Sequence, residues 1–422
     1  MKKSLFALAA FGALAGVAHA QSSVTVYGII DEGLSGGNSN YSPGGTSTVT
    51  KATGLGFQPG NQSTSRLGFK GSEDLGGGMS AFFTYEIKVD NDSSGMFATT
   101  RQAFVGVKKN GWGSIAAGTQ NTPVYDAVLQ SDPGSVNNIA GNLITTSAKG
   151  PQGLLPAQFG VTTNQPYATR LSNTASFKTD NFSGFSARAL ILALAGNQTQ
   201  TANSVGGPGL ISTNGTASVA TQNNQTGAGI GLDYTWNKLF LTANYQAFKA
   251  NAAIDGLTTT PVGFGGFGSS GGVTGGTALA QNANDSNQYY AATYDFGILK
   301  AYAQYITRTI GNNVNTALYS KYQAQQIGVN SYITPTIQVW GSAAMGKYTA
   351  YPSGTVSTAS YSPASANINA FQLGANYWLS KRSNLYAIYG QTATSNFTYT
   401  SATANPTAGN QNNYSVGIRH TF

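Results

Sequence analysis

The last ten residues of the chain, Asn413–Phe422, read NYSVGIRHTF. Tyr414, Val416, Ile418 and Phe422 are apolar and share one parity, on which only His420 is polar. Ser415, Gly417, Arg419 and Thr421, on the other parity, are small or polar. Successive side chains of a β-strand point to opposite faces, so this stretch predicts a strand with one apolar and one polar face. A soluble protein seldom ends on an exposed phenylalanine. The apolar face therefore requires an apolar environment.

The beginning of the chain has the pattern of a secretory signal peptide. Met1–Lys3 is basic, residues 4–17 are apolar, and Ala18-His19-Ala20 fits a small-x-small cleavage site. We therefore expect residues 1–20 to be removed, so that the mature chain starts at Gln21. The alternative, a membrane anchor helix, is disfavoured because the apolar run is shorter than the ~20 residues that span a bilayer.

The composition excludes several classes of protein. The chain has no cysteine, which excludes disulfides and thiolate metal sites, and His420 is the one histidine left after cleavage. The mature chain therefore lacks the residues for a zinc-enzyme site or a histidine-dependent catalytic triad. We predict that it has no cofactor and no enzymatic activity. Without Lys2 and Lys3, 20 basic residues remain against 14 acidic ones, a net charge of +6. They form no basic cluster, so nucleic acid is not an expected partner.

Segments of about ten residues with alternating polarity recur along the chain. Charged residues make up only 9% of it, against about 25% in soluble domains, and no later run is apolar enough for a transmembrane helix. The pattern predicts sixteen strands near residues 24–34, 63–72, 78–89, 98–108, 113–120, 168–179, 183–193, 226–236, 238–249, 287–296, 298–308, 321–332, 335–347, 367–378, 383–393 and 412–422.

The connections between these segments alternate in length. Short ones contain turn residues, as in Lys109-Asn110-Gly111 and Thr179-Asp180-Asn181, and long ones include 35–62 and 121–167. This alternation is typical of a transmembrane β-barrel with short periplasmic turns and long external loops. Sixteen antiparallel strands leave a water-filled lumen. Aromatic residues that we expect in interfacial girdles are Trp236, Tyr377 and Phe422 near short turns, and Tyr245, Tyr305 and Tyr389 near long loops.

Four stretches resemble the general porins of β-proteobacteria, of the Burkholderia, Bordetella and Neisseria type: Ser22–Asp31, Ser65–Gly78, Arg101–Val107 and Gly417–Phe422. The resemblance implies a single porin domain over residues 21–422, a sixteen-stranded homotrimeric barrel in the outer membrane. It would pass ions and small hydrophilic solutes, with membrane lipid and lipopolysaccharide around it.

The resemblance also implies two roles for particular segments. The third external loop, here 121–167, would fold into the lumen as a constriction loop. A C-terminal strand with aromatic residues, here Tyr414 and Phe422, would be the signal that the outer-membrane assembly machinery reads.

Charged residues define a candidate constriction. Asp126 and Asp132 lie on the predicted constriction loop, whose one basic residue is Lys149; the alternative is that these acids are solvated on a surface loop.

The wall opposite that loop is expected to be basic. Arg66 and Lys70 share one face of their strand and Arg170 alternates with Leu171, so all three are expected to face the lumen, since a charge facing lipid costs about 2–4 kcal/mol. Arg101 shares its parity with apolar residues, and its place in the lumen is implied by the resemblance. Thr119 stands where family members often carry a further arginine. We therefore expect a mild anion preference.

Three other functions remain open. A substrate-specific channel would use an aromatic track, for which Tyr302, Trp340 and Trp378 are candidates. A barrel phospholipase would need a Ser–His pair that includes His420. A soluble adhesin is disfavoured by the alternation of connection lengths.

Overall fold

The computed structural model describes residues 23–42, 50–89, 97–145, 167–194, 223–252, 283–312, 319–350, 364–397 and 407–422. The predicted signal peptide and Lys149 lie outside these residues. Within them, no helix is both long and apolar enough to cross a bilayer.

Seventeen strand segments and one short helix make up the described chain. Helix α1 spans Pro123–Ser131. The strands are β1 (Ser23–Ser42), β2 (Thr50–Pro59), β3 (Arg66–Gly76), β4 (Met79–Val89), β5 (Phe97–Lys109), β6 (Gly113–Asn121), β7 (Arg170–Thr179), β8 (Phe185–Leu194), β9 (Asn223–Trp236), β10 (Leu239–Ala252), β11 (Ala283–Asp295), β12 (Lys300–Asn312), β13 (Tyr319–Thr334), β14 (Ile337–Ala350), β15 (Ala364–Trp378), β16 (Ser383–Phe397) and β17 (Thr407–Thr421).

The sheet closes on itself. From β3 to β17 each strand pairs antiparallel with the next, and β17 also pairs with β1, from Ile29 opposite Thr421 to Ser42 opposite Ala408. Two backbone hydrogen bonds of 3.1 Å between Gly28 and Phe422 extend this seam to the last residue of the chain. The strand has no free edge there, as a barrel requires.

The second strand of the barrel is broken into two segments. Both β2 and β3 pair with β1, Pro59 lying opposite Glu32 and Arg66 opposite Ile29. The two segments therefore take one place in the circuit, and the barrel has the sixteen strands that the sequence predicts. The predicted loop at 35–62 was wrong, because β1 continues to Ser42 and β2 lies inside that range.

The alternation predicted for the terminal strand is confirmed. Tyr414, Val416 and Ile418 are 42–54% exposed on the outer wall, whereas Asn413 and Ser415 are at most 1% exposed on the inner side. Parity along a strand thus assigns each side chain to the outer wall or to the lumen.

Aromatic rings lie against glycines on the neighbouring strand. A side chain at any of these glycines would overlap the ring opposite it. The ring thereby covers the bare backbone of a residue that contributes no side chain of its own, an arrangement known to support sheet edges and bends. The directly opposed pairs are Tyr27 with Gly68, Trp340 with Gly374, Tyr386 with Gly417, and Tyr414 with Gly36.

The chain between β6 and β7, which we call the inward loop, packs inside the barrel. Residues 122–145 and 167–169 of this loop are described. Its apolar side chains, such as Val124, Val128 and Leu143, are fully buried against Leu190 and Ile306 of the wall within one apolar cluster. Burying each such side chain contributes about 1.5–3 kcal/mol, so the loop is held firmly against strands β7–β15.

Deleting Phe422 is expected to reduce the yield of folded barrel several-fold. The deletion removes both terminal hydrogen bonds to Gly28 and the ring that covers it, and each hydrogen bond is worth about 1 kcal/mol. Heat-modifiable gel mobility measures the folded fraction. The single-channel conductance of the protein that folds should not change, because the ring faces outward.

Phe422→Tyr, which keeps the ring and the backbone, is the matched control for this deletion. An unchanged amount of folded barrel after the deletion would show that the terminal residue is dispensable.

Candidate functional site

Two arginines and one glutamate form an ion-pair cluster on the inner wall. Arg101 Nε lies 2.6 Å from Glu86 Oε1, and Arg66 Nη1 lies 3.9 Å from the same oxygen. The Tyr27 hydroxyl donates a hydrogen bond of 3.1 Å to Glu86 Oε2. The side chain of Glu86 is only 4% exposed, so both of its oxygens have partners, as a buried carboxylate requires.

A β-bulge brings Arg101 to the lumen. In the β4–β5 pair, Glu86 lies opposite Gln102 and Ile87 lies opposite Thr100, which leaves Arg101 as the extra residue. A bulge resets the alternation of a strand and can redirect a side chain. Arg101 is therefore buried on the inner side, although Val105, of the same parity, is 61% exposed outside.

Arg170 completes an arginine cluster with Arg66 and Arg101. Its guanidinium carbon lies 5.0 Å from the centre of the Tyr125 ring, and its Nη2 donates a hydrogen bond of 3.4 Å to the hydroxyl of that residue. Arg101 interacts electrostatically with both Arg66 and Arg170. Three of the four predicted basic residues therefore lie together.

Lys70, the fourth predicted basic residue, lies nearer the short-turn end. Its Nζ is 5.5 Å from the centre of the Tyr27 ring, and the side chain is exposed. Lys70 thus lies four residues beyond Arg66 along β3, about 13 Å from it.

The inward loop begins with helix α1. Thr122 caps the helix by accepting a hydrogen bond of 3.3 Å from the Tyr125 N–H, and Pro123 follows at the first helical position, where proline is favoured. Asp126, in the first turn, pairs with Lys178 at 2.6 Å and accepts a hydrogen bond of 2.9 Å from Asn121. Its charge is therefore offset by a lysine of β7.

Asp132, the second acid of the loop, holds the loop together. Its Oδ1 accepts a hydrogen bond of 2.6 Å from Asn142 Nδ2, and its Oδ2 accepts one of 2.7 Å from the Val136 N–H. Burial raises the pKa of Asp132, although these hydrogen bonds act in the opposite direction. The carboxylate is only 5% exposed and is directed into its own loop.

The loop is also hydrogen-bonded to much of the barrel wall. Ser131 Oγ lies 2.6 Å from the Tyr289 hydroxyl of β11, and Asn137 Nδ2 donates at 2.8 Å to Gln372 Oε1 of β15. The Gly141 N–H donates at 3.2 Å to Thr392 Oγ1 of β16. The loop therefore follows the wall from one side of the lumen to the other.

The break in the second strand forms a further inward segment, residues 60–65, which we call the strand-2 excursion. Only two residues of β1, Ile30 and Asp31, lie opposite the six residues of the excursion. Asp31 is fully buried and accepts hydrogen bonds from the Ser63 N–H and, at 2.7 Å, from the Tyr386 hydroxyl. Asn384 Nδ2 donates a hydrogen bond of 2.9 Å to Gln62 Oε1.

The excursion connects the inward loop to the arginine cluster. The Asn138 N–H of the loop donates to the Asn61 carbonyl at 2.9 Å, and its Nδ2 donates to the Gly60 carbonyl at 2.7 Å. Arg66 Nε, at the other end of the excursion, donates to the Thr64 carbonyl at 3.0 Å. Sequence reasoning missed this segment; Pro59-Gly60 is the one local signal of a break.

Other candidate residues lie apart from the arginine cluster. Trp340 is buried beneath the loop beside Ile139, and Trp378 donates to Gln338 Oε1 at 3.3 Å. His420 is exposed on the outer wall, and its Nδ1 lies 2.8 Å from Ser383 Oγ. No group of three or more metal-binding side chains occurs among the described residues.

Comparison with known proteins gives one family. Residues 5–397 match the family described as Gram-negative porin. An outer membrane porin protein of Bordetella pertussis is 28% identical over 445 aligned positions, which cover all of both chains. Outer membrane porin protein 32 of Delftia acidovorans is 34% identical over 44% of this chain and 48% of its own length.

Solved structures agree on the fold. An anion-selective porin from Comamonas acidovorans superposes with a TM-score of 0.59 at 20% identity, over 95% of this chain and 100% of that one. OmpT of Vibrio cholerae, in a trimer form, superposes with a TM-score of 0.55 at 15% identity, over 95% of this chain and 99% of that one. Together with the closed sixteen-strand barrel, the family match shows that this chain belongs to the Gram-negative porins of the outer membrane.

Proposed function

We propose that the chain is a passive channel with a mild anion preference, and that the arginine cluster sets this preference. The observation that supports it is the grouping of Arg66, Arg101 and Arg170 around the single carboxylate of Glu86. Three guanidinium groups and one carboxylate give this cluster a net charge of +2. Rings of fixed charge bias which ions enter a pore.

The acids of the inward loop offset little of that charge. Lys178 pairs with Asp126, and Asp132 is buried among donors of its own loop. The transverse field from loop to wall is therefore weaker than the two acids alone would give. The similar porin from Comamonas acidovorans is an anion-selective porin, which is in line with this proposal.

The assembly and the chemistry of the channel follow the same reasoning. We infer a homotrimer, in line with the trimer form of the Vibrio cholerae neighbour. We also infer that the chain is not an enzyme, because no carboxylate among the described residues pairs with His420 to complete a triad with Ser383. The terminal residues Tyr414 and Phe422 remain the proposed assembly signal.

A substrate-specific channel is the less favoured alternative. Its aromatic track would need accessible rings along the lumen, and Trp340 is only 5% exposed beneath the loop. Concentration-dependent block of the current by one solute would favour this alternative.

Replacing Arg66 and Arg170 together by glutamine should abolish the anion preference. The Arg101–Glu86 pair stays intact in this variant, so the net charge of the cluster falls from +2 to zero without leaving a buried carboxylate unpaired. The reversal potential across a tenfold KCl gradient in a planar bilayer should move from the anion side to near zero.

The control for this variant is Lys381→Gln with Arg382→Gln, which makes the same change of charge at an exposed short turn. An anion preference that persists in the Arg66/Arg170 variant, or is lost equally in the control, would contradict the role of the arginine cluster.

Asn138→Ala should destabilise the open channel. The substitution removes the side-chain hydrogen bonds that tie the inward loop to the strand-2 excursion, each worth about 1 kcal/mol. We expect more open-channel current noise and closure at lower applied voltage in single-channel recordings.

Gln130→Ala, a substitution at an exposed residue of the same loop, is the matched control for Asn138→Ala. If both variants record like the unaltered channel, the excursion does not hold the loop.

A further inference from the structure

Three lysines face outward from the wall near the external end of the barrel. They are Lys249 on β10, Lys321 on β13 and Lys347 on β14, each within three residues of the long-loop end of its strand. Their parity is that of the outward residues Tyr245, Ile327 and Met345, which are 46%, 67% and 57% exposed. These lysines therefore do not face the lumen.

Two of these lysines are close neighbours with like charge. Lys321 lies opposite Thr349, and Lys347 lies opposite Gln323, which places the two lysines diagonally on adjacent strands. Diagonal neighbours are about 7–8 Å apart. Within the described ranges, no carboxylate lies within ion-pair distance of Lys249, Lys321 or Lys347. An anion bound between them would relieve their repulsion.

An apolar concavity of about 930 Å³ lies on the same outer wall, below the lysines. Small side chains form its floor, at Ala243, Ala292, Ala303 and Ala343. Larger apolar or aromatic side chains border it: Phe185, Leu241, Tyr290, Tyr305, Ile327 and Met345.

The concavity is continuous with the lysines. Met345 borders it and precedes Lys347 by two residues on the same face, about 7 Å along the strand. Gln323 Nε2 donates a hydrogen bond of 3.0 Å to the Tyr305 hydroxyl. This polar pair lies between the apolar concavity and the lysines. Cations thus stand directly above an apolar groove, at the level where headgroups meet acyl chains.

We propose that this surface is a binding site for a phosphorylated, multiply acylated lipid of the outer leaflet. Lys321 and Lys347, with Lys249 on the far side of the groove, bind the phosphate groups, and acyl chains lie in the groove floored by Ala303 and Ala343. Ammonium groups near a membrane surface attract anionic lipid by about 1 kcal/mol each, and lysine stems extend along apolar surface. The site requires the outer-membrane location of the barrel but not the ion preference of its lumen.

The test is a titration of the purified, detergent-solubilised trimer or barrel with diphosphoryl lipid A, followed by native mass spectrometry. Lys321→Gln with Lys347→Gln should weaken binding about thirtyfold, since each lysine contributes about fivefold. Lys381→Gln, at a short turn on the opposite end, should bind like the unaltered protein.

Two further arms separate the phosphate from the acyl chains. Ala303→Leu with Ala343→Leu fills the groove and should also weaken binding, while the lysines remain. The unaltered protein should bind dephosphorylated lipid A about thirtyfold more weakly than the diphosphoryl form, and this arm needs no variant to fold.

Single-channel conductance of each variant distinguishes this proposal from the function proposed above. Conductance and reversal potential should stay unchanged in all of them. Equal binding of both lipid forms, or undiminished binding to the double-lysine variant, would overturn the lipid site even if the channel behaves as proposed.

Discussion

The pairing of β17 with β1 is the constraint on which the rest of the structure depends. A chain in lipid has no water to satisfy its backbone N–H and C=O groups, so a sheet can cross the membrane only if its first and last strands pair. Here that seam runs from Ser42–Ala408 to the Gly28–Phe422 hydrogen bonds at the last residue. Closure then divides every strand into a lipid face and a lumen face.

The candidate constriction lies where this alternation is interrupted. The bulge at Arg101 turns its guanidinium toward the lumen, although the alternation of β5 would otherwise place it on the apolar outer face. The strand-2 excursion brings residues 60–65 inside the wall. The excursion joins the inward loop, through Asn138, to the backbone that orients Arg66. An apolar cluster on the opposite side holds the loop on the wall.

The regular part of this fold could be predicted from the sequence because parity and connection length are local properties. The strand number, the terminal strand with Phe422, and the inward position of Arg66 all follow from them. The break after Pro59 was missed although Pro59-Gly60 signals it, because the segment before it, β2, lies in the range 35–62 that the sequence pattern assigned to a loop. The bulge at Arg101 depends on the register with β4, which no single segment contains. The roles of Asp126 and Asp132 likewise depend on distant donors, Lys178 and Asn142, that only the folded loop brings near.

The central claim is that the lumen is open to water and carries an excess of positive charge at the arginine cluster. Single-channel recording of the purified, unaltered protein in a planar bilayer under a KCl gradient tests both parts in one experiment. The account predicts discrete, long-lived conductance steps with a reversal potential on the anion side. A protein that folds as a barrel but gives no steps, or gives steps with a clear cation preference, would contradict it.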